Sequence, residues 1–294
     1  MKTAVCLIAL AAGSAHADSK AWTSGKSVIS SSANIVGGIS AGSVRNSGLY
    51  QQWLPLLLSQ AGDAKTALDA IQKECSIDIL ASIDSIAFGI DDNKSGAIII
   101  ALKGTNHKAL DACAQKLAKA DNKTVEITTE GKFTKYAGMG DKPIYLDWLA
   151  SDVFAVSTAV EDKDASVKLL AGGVTSNKSL KTPLSKLDKS ASLWFVIDKE
   201  QPLDTGKLEQ IYGTASVANK KISVAGHVVT DSANTATTLS ATATKKLADA
   251  QATASKAVQA AIGSVSLKTT GAEISASAAV AEDDVVALIT SMMH

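Results

Sequence analysis

The sequence predicts an α+β fold with an internal duplication, in which each repeat is an antiparallel sheet with helices packed on one face. Residues 85–117 are predicted to form a strand, a tight turn, a second strand and a helix. Alternating apolar residues are followed by turn residues, then by a continuously apolar run, and then by an apolar stripe of helical period. Residues 214–247 repeat this order. Only one helix separates successive hairpins, which favours antiparallel pairing, since parallel strands need a crossover connection.

Two flanking blocks also recur in the same order. Residues 32–36 match residues 190–194, and residues 154–164 align without gaps with residues 274–284. Matched blocks in a constant order predict a duplication. The alternative is chance similarity between segments that are rich in Ala, Ser and Thr.

The amino terminus has the pattern of a secretory signal peptide. Lys2 precedes an apolar run, and the run ends before a site with small residues at Ala15 and Ala17. The run is shorter than the roughly 20 residues that span a bilayer. We therefore expect cleavage after Ala17 and a periplasmic or secreted mature chain.

Four further segments are predicted: a flexible stretch (18–32), repeat one (33–172), a linker (173–187) and repeat two (188–294).

The mature chain is almost neutral. Residues 1–17 contain one Lys and no acidic residue, so 29 − 1 = 28 basic residues remain against 29 acidic ones. A nucleic-acid partner is not expected, because nucleic-acid binding needs a basic surface. No later stretch reads as a membrane span. The 46% hydrophobic and 4% aromatic content predicts a core of Ala, Val, Ile and Leu.

The cysteines predict a disulfide. Cys6 lies in the signal peptide, which leaves Cys75 and Cys113 in the mature chain. Two cysteines in an oxidising compartment usually pair. A separation of 113 − 75 = 38 residues corresponds to about 4 kcal/mol in the chain-entropy description. The alternative is a pair of buried free thiols.

The remaining elements follow from local patterns. Repeat one is expected to hold a first strand at 35–39, helices at 49–58 and 63–75, and hairpins at 125–137 and 143–159. Repeat two retains only strands at 265–268 and 274–280 after its helix. Repeat one is therefore predicted to carry an extra pair of strands around 135–152, and repeat two a long Ala-rich helix over 235–262.

One motif points to catalysis. Gly38 to Gly42 fit the G-x-S-x-G pattern of a nucleophile elbow, with Ser40 as the nucleophile. The histidine would have to be His107, at a helix start, or His227, within a strand. Little chain precedes Ser40 to build a sheet and an oxyanion loop, which favours a chance match. A serine hydrolase using Ser40 is the alternative function.

Metal and cofactor signals are weak. Asp91, Asn93 and Ser95 resemble the first half of a calcium loop, but the twelfth position is Leu102 instead of a glutamate. The better interpretation is a hairpin turn. The mature histidines, including His294, are not spaced with other ligands. Neither a metal nor a cofactor is expected.

Aromatic residues cluster in one region. Phe133, Tyr136, Tyr145 and Trp148 lie close together in the sequence, within the hairpins of repeat one. Tyr and Trp suit contact surfaces, since each has an apolar body and a polar tip. We predict a binding surface here for a protein, peptide or apolar ligand. The alternative is that these side chains fill a larger core.

Part of repeat one resembles a group of uncharacterised exported two-repeat proteins of myxobacteria-like bacteria. The resemblance rests on residues 33–55 with the segment from Arg45 to Gln51, on residues 75–86, and on residues 110–113. It implies an exported, disulfide-bonded, two-repeat protein and no activity. The function predicted from the sequence is therefore that of a non-catalytic envelope or secreted binding module.

Overall fold

The computed structural model describes residues 18–286, except 61, 139 and 255. The predicted signal peptide and residues 287–294 lie outside the described residues. The fold is α+β, as predicted, with one large antiparallel sheet. Its strands are β1 (Ile35–Ser40), β2 (Ile83–Ile90), β3 (Gly96–Leu102), β4 (Glu126–Glu130), β5 (Phe133–Ala137), β6 (Ile144–Ala150), β7 (Val153–Ser157), β8 (Leu193–Leu203), β9 (Gly206–Ala218), β10 (Lys221–Thr230), β11 (Ser266–Thr270) and β12 (Glu273–Ala281).

Several helices begin at a side-chain cap. Asn106, Asp162, Asn177 and Ser232 each accept a backbone N–H from the first turn that follows, which satisfies a donor without a helical partner. The helices are α1 (Lys20–Gly25), α2 (Ala41–Arg45), α3 (Gly48–Gln60), α4 (Asp63–Cys75), α5 (Ile79–Ser82), α6 (His107–Ala120), α7 (Lys163–Leu169), α8 (Lys178–Lys186), α9 (Ala233–Thr253) and α10 (Lys256–Gly263). The long helix predicted over 235–262 is thus two helices.

The sheet is continuous through the middle of the molecule. Its strand order is β11, β12, β10, β9, β8, β1, β2, β3, β7, β6, β5, β4. Strands β1 and β8 pair at the centre. Outward from them run β2, β3, β7 and β6 on one side, and β9, β10, β12 and β11 on the other. Strands β4 and β5 extend the first side to its edge, and no described strand occupies the equivalent place beyond β11.

The register is centred on one pair of residues. Gly37 lies opposite Phe195, and the pairs on either side of it are Ile35 with Ile197 and Ile39 with Leu193. From this centre, each half continues outward through three further strands with equivalent pairs. On one side, Ile39 pairs with Ile86, Ile86 with Ile100, and Ile100 with Phe154. On the other side, Ile197 pairs with Ile211, Ile211 with Val228, and Val228 with Ile274.

One face of the sheet, which we call the core face, carries the main hydrophobic core. Helices α1, α7 and α8 pack on it. Trp22 of α1 meets Trp194 of β8 edge to face at 4.9 Å between ring centroids. Gly25 lies so close to Ile99 that a Cβ would be 2.4 Å from its Cγ1. Close approach of α1 to β3 therefore requires glycine at this position.

Two predicted connecting segments are packed elements instead. Residues 18–32 were expected to be flexible, yet they contain α1, and Trp22 and Ile29 are buried. Residues 173–187 were expected to be a linker, yet Leu180 and Leu184 of α8 are buried in the same core. Both segments stay in place because isolated apolar side chains anchor a polar stretch to the core face.

Helices also pack on the opposite face. His107 of α6 stacks on Trp148 of β6, whose side chain shares a face with its partner Phe154. Leu267 of β11 lines a cavity together with residues of α9 and α10. Helices α6, α9 and α10 therefore share one face, whereas α7 of repeat one lies on the core face. Packing of each repeat on a single face is thus not observed for repeat one.

The predicted disulfide is present. Cys75, at the end of α4, is bonded to Cys113 in the middle of α6, with 5.3 Å between their Cα atoms. This distance lies within the range of native disulfides. The bond joins two helices that are 38 residues apart in the sequence.

Candidate functional site

The face opposite the core face carries three rows of apolar residues, and we call it the apolar face. Side chains of directly paired residues lie on the same face of an antiparallel sheet, so the register defines the rows. In sheet order, the first row is Ala276, Gly226, Gly213, Phe195, Gly37, Phe88, Ile98 and Val156; the second is Ala278, Val224, Ala215, Leu193, Ile39, Ile86, Ile100 and Phe154; the third is Ile274, Val228, Ile211, Ile197, Ile35, Ile90 and Gly96.

Most of the larger side chains of these rows are partly buried, and two of them are exposed. Ile274 is buried, but the other Val, Leu, Ile and Phe members are at least partly exposed. Leu193 is 38% exposed and Val224 is 45% exposed. The two long rows cross eight strands, about 34 Å at the usual strand spacing. A charged residue does not occur in any row.

The repeat-two end of the apolar face forms a trough. Gly213, Gly226 and Ala276 are consecutive in the first row and have little or no side chain. A Cβ built on Gly226 would come no closer than 4.0 Å to another atom. The row continues to Leu267, which pairs with Ala276. The trough therefore leads toward a cavity of about 340 Å³ lined by Thr244, Leu247, Ala248, Gln251, Ile262, Gly263, Val265 and Leu267.

The predicted aromatic cluster is divided between the two faces. Phe133 and Tyr145 lie on the core face, edge to face at 6.4 Å. Tyr136 and Trp148 lie beneath α6 on the apolar face. Phe133, Tyr136 and Tyr145 are buried, and Trp148 is partly exposed. Buried side chains offer no surface to a partner, which favours the alternative that this cluster fills the core.

Polar contacts fix α6 above the aromatic pair. The hydroxyl of Tyr136 donates to Oδ1 of Asp111 at 2.7 Å. Nε2 of His107 lies 3.3 Å from Oδ2 of the same carboxylate, and its ring stacks on Trp148 at 4.1 Å. Burial, followed by the hydrogen bond to Asp111, raises the pKa of Tyr136. The hydroxyl therefore keeps its proton and remains a donor to Asp111.

Ser40 lies outside any catalytic arrangement in the described residues. It ends β1, lies opposite Ser85 and precedes α2, where its carbonyl oxygen accepts a hydrogen bond from Ser43. His107 contacts Asp111 and the stacked indole, and His227 contacts Glu273. A histidine within hydrogen-bond reach of Ser40 is not found in the part of the chain that the structure describes. The geometry gives no support to a nucleophile elbow.

The turn at Asp91 is a hairpin turn. Oδ1 of Asp91 accepts backbone N–H groups from Asn93 and Ser95, each at 2.9 Å. Strand β3 begins directly afterwards, where a calcium loop would lead into a helix. A group of three or more His, Cys, Asp or Glu side chains placed to hold a metal is not present among residues 18–286 as described.

A polar cluster that the sequence did not predict lies on the core face. Oε1 of Glu273 accepts from the Tyr212 hydroxyl at 2.8 Å and lies 2.6 Å from Nδ1 of His227, while Oε2 is 2.9 Å from Nζ of Lys186. The His227 ring stacks on that of Tyr212 at 4.6 Å. The four residues come from α8, β9, β10 and β12. Three of them line a cavity of about 420 Å³ beside α8.

Contacts within the cluster and burial shift the pKa values of its members. Burial raises the pKa of Glu273, but hydrogen bonds from Lys186, Tyr212 and His227 outweigh it, and the pKa lies below its ordinary value of 4.5. The hydrogen bond to Tyr212, followed by that to Glu273, raises the pKa of Lys186. Burial raises the pKa of Tyr212. The cluster therefore holds a carboxylate, an ammonium group and a neutral phenol at neutral pH.

Comparison with known proteins finds only distant likeness. No family model matches the chain, and the search of curated proteins finds no match. Crystal form I of TP0453 gives a TM-score of 0.49 at 10% sequence identity, over 95% of this chain and 98% of that chain. Crystal form III of TP0453 gives 0.49 at 11%, over 94% and 99%. Among the described residues, no helix is both long and apolar enough to cross a membrane.

Proposed function

We propose that the chain is an exported, non-catalytic binding protein that holds an elongated apolar ligand on the apolar face of its sheet. One observation carries the proposal: three rows of uncharged residues run across the sheet, and most of their side chains are partly exposed. Exposed apolar patches of this extent mark binding surfaces in soluble proteins. The binding surface proposed here replaces the aromatic cluster around Tyr145 as the contact region.

The chemistry of the face favours an apolar chain over a peptide. The backbone N–H and C=O groups of the central strands are used in the ladder between neighbouring strands. A ligand lying on the face therefore finds methyl groups and rings such as those of Phe88 and Phe195, but few hydrogen-bond partners. A peptide backbone would leave its own polar groups unpaired there, which is costly. An aliphatic chain has no such groups.

The trough gives a direct test of this proposal. Gly226→Val adds a side chain to the apolar face at a position with open space above it. We expect the variant to bind a dansylated fatty acid at least ~10-fold more weakly, because the added methyl groups fill the trough. Its free energy of unfolding should stay equal or rise by up to ~1 kcal/mol, since glycine weakens a strand. Fluorescence titration and urea unfolding measure the two quantities.

A neighbouring residue supplies the control. Ala225→Val adds two carbon atoms to the same strand, against three in Gly226→Val, but on the core-face side, where Ala225 is exposed. This variant should bind the fatty acid like the wild type. Unchanged binding by Gly226→Val, or equal loss in both variants, would contradict a ligand in the trough.

We also infer that the two halves arose by duplication of one unit. The strand order supports this, since both halves run outward in the same order from the central pair of strands. The register supports it independently. The gap-free alignment of the closing blocks matches Phe154 with Ile274, and these residues occupy equivalent pairs on the two sides. Gly37 and Phe195, at the centre, lie where a local twofold axis would pass.

Export to the periplasm or beyond is part of the proposal. The amino-terminal pattern ending at Ala17 and the Cys75–Cys113 disulfide both support it, because disulfides persist in oxidising compartments. The resemblance to exported two-repeat proteins is consistent with the same location. A nucleic-acid partner is not proposed, in view of the near-neutral charge.

A further inference from the structure

Strand β11 forms one edge of the sheet, with β12 as its neighbour on one side. Two residues, 271 and 272, join these strands, so the flanking pair Thr270 and Glu273 exchanges both of its backbone hydrogen bonds. Bonded and non-bonded pairs alternate along an antiparallel ladder, so the N–H and C=O groups of Leu267 and Thr269 point away from β12. In the described part of the chain, these groups make no backbone hydrogen bond to another segment. The outer side of β11 therefore has free hydrogen-bonding groups for one more strand.

The equivalent strand of repeat one has such a neighbour. Counted outward from the central pair of strands, β6 and β11 hold the same place in the sheet. The gap-free match of the closing blocks aligns Ala155 with Ser275, and these residues pair with Asp147 of β6 and Lys268 of β11. Strand β5 covers the outer side of β6, antiparallel to it. The molecule thus contains one example of the strand addition that the open edge of β11 permits.

The charge at the equivalent position is inverted. Asp147 is buried, and Nζ of Lys132, from the turn before β5, lies 2.9 Å from its carboxylate. Lys268 carries the opposite charge, is exposed, and has no ion pair among the described residues. Opposite charges on neighbouring strands are favourable, whereas like charges are not. A strand added to β11 is therefore expected to carry an acidic side chain beside Lys268.

The two faces of this edge differ, which defines the added strand further. On the core-face side, Lys268 is flanked only by hydroxyl side chains, those of Ser266 and Thr270, and all three are exposed. On the other side, Leu267 lines the cavity beside α9 and α10. Side chains directly opposite each other share a face, so an acidic residue next to Lys268 has apolar neighbours in its own strand.

We propose that β11 is a docking edge for an extended segment of another protein, which adds as a strand antiparallel to β11 and places an acidic side chain beside Lys268. A second copy that pairs through its own β11 does not fit this edge, because residues 266–270 contain no Asp or Glu. A lysine on an edge strand also disfavours pairing between like edges. The proposal does not depend on the ligand of the apolar face.

The test is an NMR titration of the ¹⁵N-labelled protein with two capped peptides, Thr-Val-Glu-Val-Thr and Thr-Val-Lys-Val-Thr. The Glu peptide should shift the amides of residues 266–270, and it should bind at least ~5-fold more tightly than the Lys peptide. In Lys268→Glu the order of the two peptides should reverse. Because Lys268 is exposed and has no described ion pair, the remaining spectrum of this variant should stay that of the wild type.

Methylation of single peptide nitrogens tests the hydrogen bonds. The valines lie opposite Leu267 and Thr269, so their N–H groups point toward β11, whereas that of the glutamate points away. N-methylation of both valines should weaken binding at least ~10-fold, and N-methylation of the glutamate should leave it unchanged.

Three results would overturn the proposal. The first is the absence of shifts in residues 266–270 with either peptide. The second is equal binding of the Glu and Lys peptides, or equal loss in both methylated forms, since either means that the peptide does not add as a strand beside Lys268. The third is a concentration-dependent shift of the same amides without peptide. That result would assign the edge to a second copy, whose β4 carries Glu126 and Glu130.

Discussion

Glu273 accepts hydrogen bonds from three side chains that are far apart in the sequence. Lys186, Tyr212 and His227 each come from a different element, and only the register of β9, β10 and β12 brings them to one carboxylate. The cluster also ties α8 to repeat two. Its members are separated by up to 87 residues, which is why local sequence patterns gave no signal for it.

The cluster should make stability depend on pH in the acid range. The pKa of Glu273 is lower in the folded chain than its ordinary value of 4.5, so the carboxylate stabilises the fold above the ordinary pKa, and this contribution is lost as the pH falls through the folded pKa. We expect Glu273→Gln to lower the free energy of unfolding by about 1–2 kcal/mol at about pH 7. The deficit should shrink toward about pH 3, as the wild-type carboxyl protonates. Urea unfolding at several pH values measures it.

An exposed pair provides the comparison for that experiment. Glu200 pairs with Lys207 at 3.2 Å, but its side chain is 67% exposed. Exposed ion pairs contribute little, so Glu200→Gln should leave stability within about 0.5 kcal/mol of the wild type across the pH range. A deficit for Glu273→Gln that stays constant down to low pH would argue against the role assigned to the carboxylate.

At the scale of single elements, segments with a strong hydrophobic pattern were predicted correctly, whereas a segment held by a single large buried side chain was not. Residues 86–90 alternate clearly and residues 97–102 are continuously apolar, and the two segments form the hairpin of β2 and β3. Helix α4 was predicted over 63–75, where the structure has it. In α1, by contrast, Trp22 is one large side chain in a polar stretch, and six residues are too few to show a helical period. Burial of such a segment depends on a partner surface that only the folded sheet provides.

Helix α1 should contribute substantially to stability. Trp22 is 2% exposed and packs on Trp194, so Trp22→Ala should lower the free energy of unfolding by about 3–5 kcal/mol through lost burial and a cavity. Val167, 41% exposed on α7, offers a control. Val167→Ala should cost less than about 1 kcal/mol. A small effect of Trp22→Ala in chemical unfolding would mean that α1 is as dispensable as its composition suggests.

At the scale of the whole molecule, the matched sequence blocks predicted the arrangement of strands better than they predicted the contacts that equivalent residues make. The closing blocks match Asp162 with Glu282. Asp162 caps α7, the helix that follows it, whereas Glu282 accepts the backbone N–H of Leu49, at the start of α3 in the other half. A sequence match specifies the backbone position of these carboxylates. It does not specify which helix each one caps, because that depends on the neighbouring half.

The seam between the halves, where β1 pairs with β8, should determine whether the two halves unfold cooperatively. Strands β1 and β8 pair through the centre, and one core on the core face spans both halves, so the wild type should unfold as a single unit. A Cβ on Gly37 would lie 2.6 Å from Cζ of Phe88 and 3.0 Å from the carbonyl oxygen of Trp194. Because the second contact is with backbone, we expect Gly37→Ala to shift β8 relative to β1 by a few tenths of an ångström.

Native-state hydrogen exchange in β3 and β10 reports on the two halves separately. In the wild type, both strands should exchange with the same free energy of opening, because they open together. In Gly37→Ala, both values should fall, and they should differ by at least ~1 kcal/mol, since each half then opens on its own. Gly226→Ala makes the same change in open space away from the seam, so its two strands should remain coupled. If β3 and β10 already opened with different free energies in the wild type, the continuous sheet would not act as one cooperative unit, and the two halves would have to be treated as independent domains.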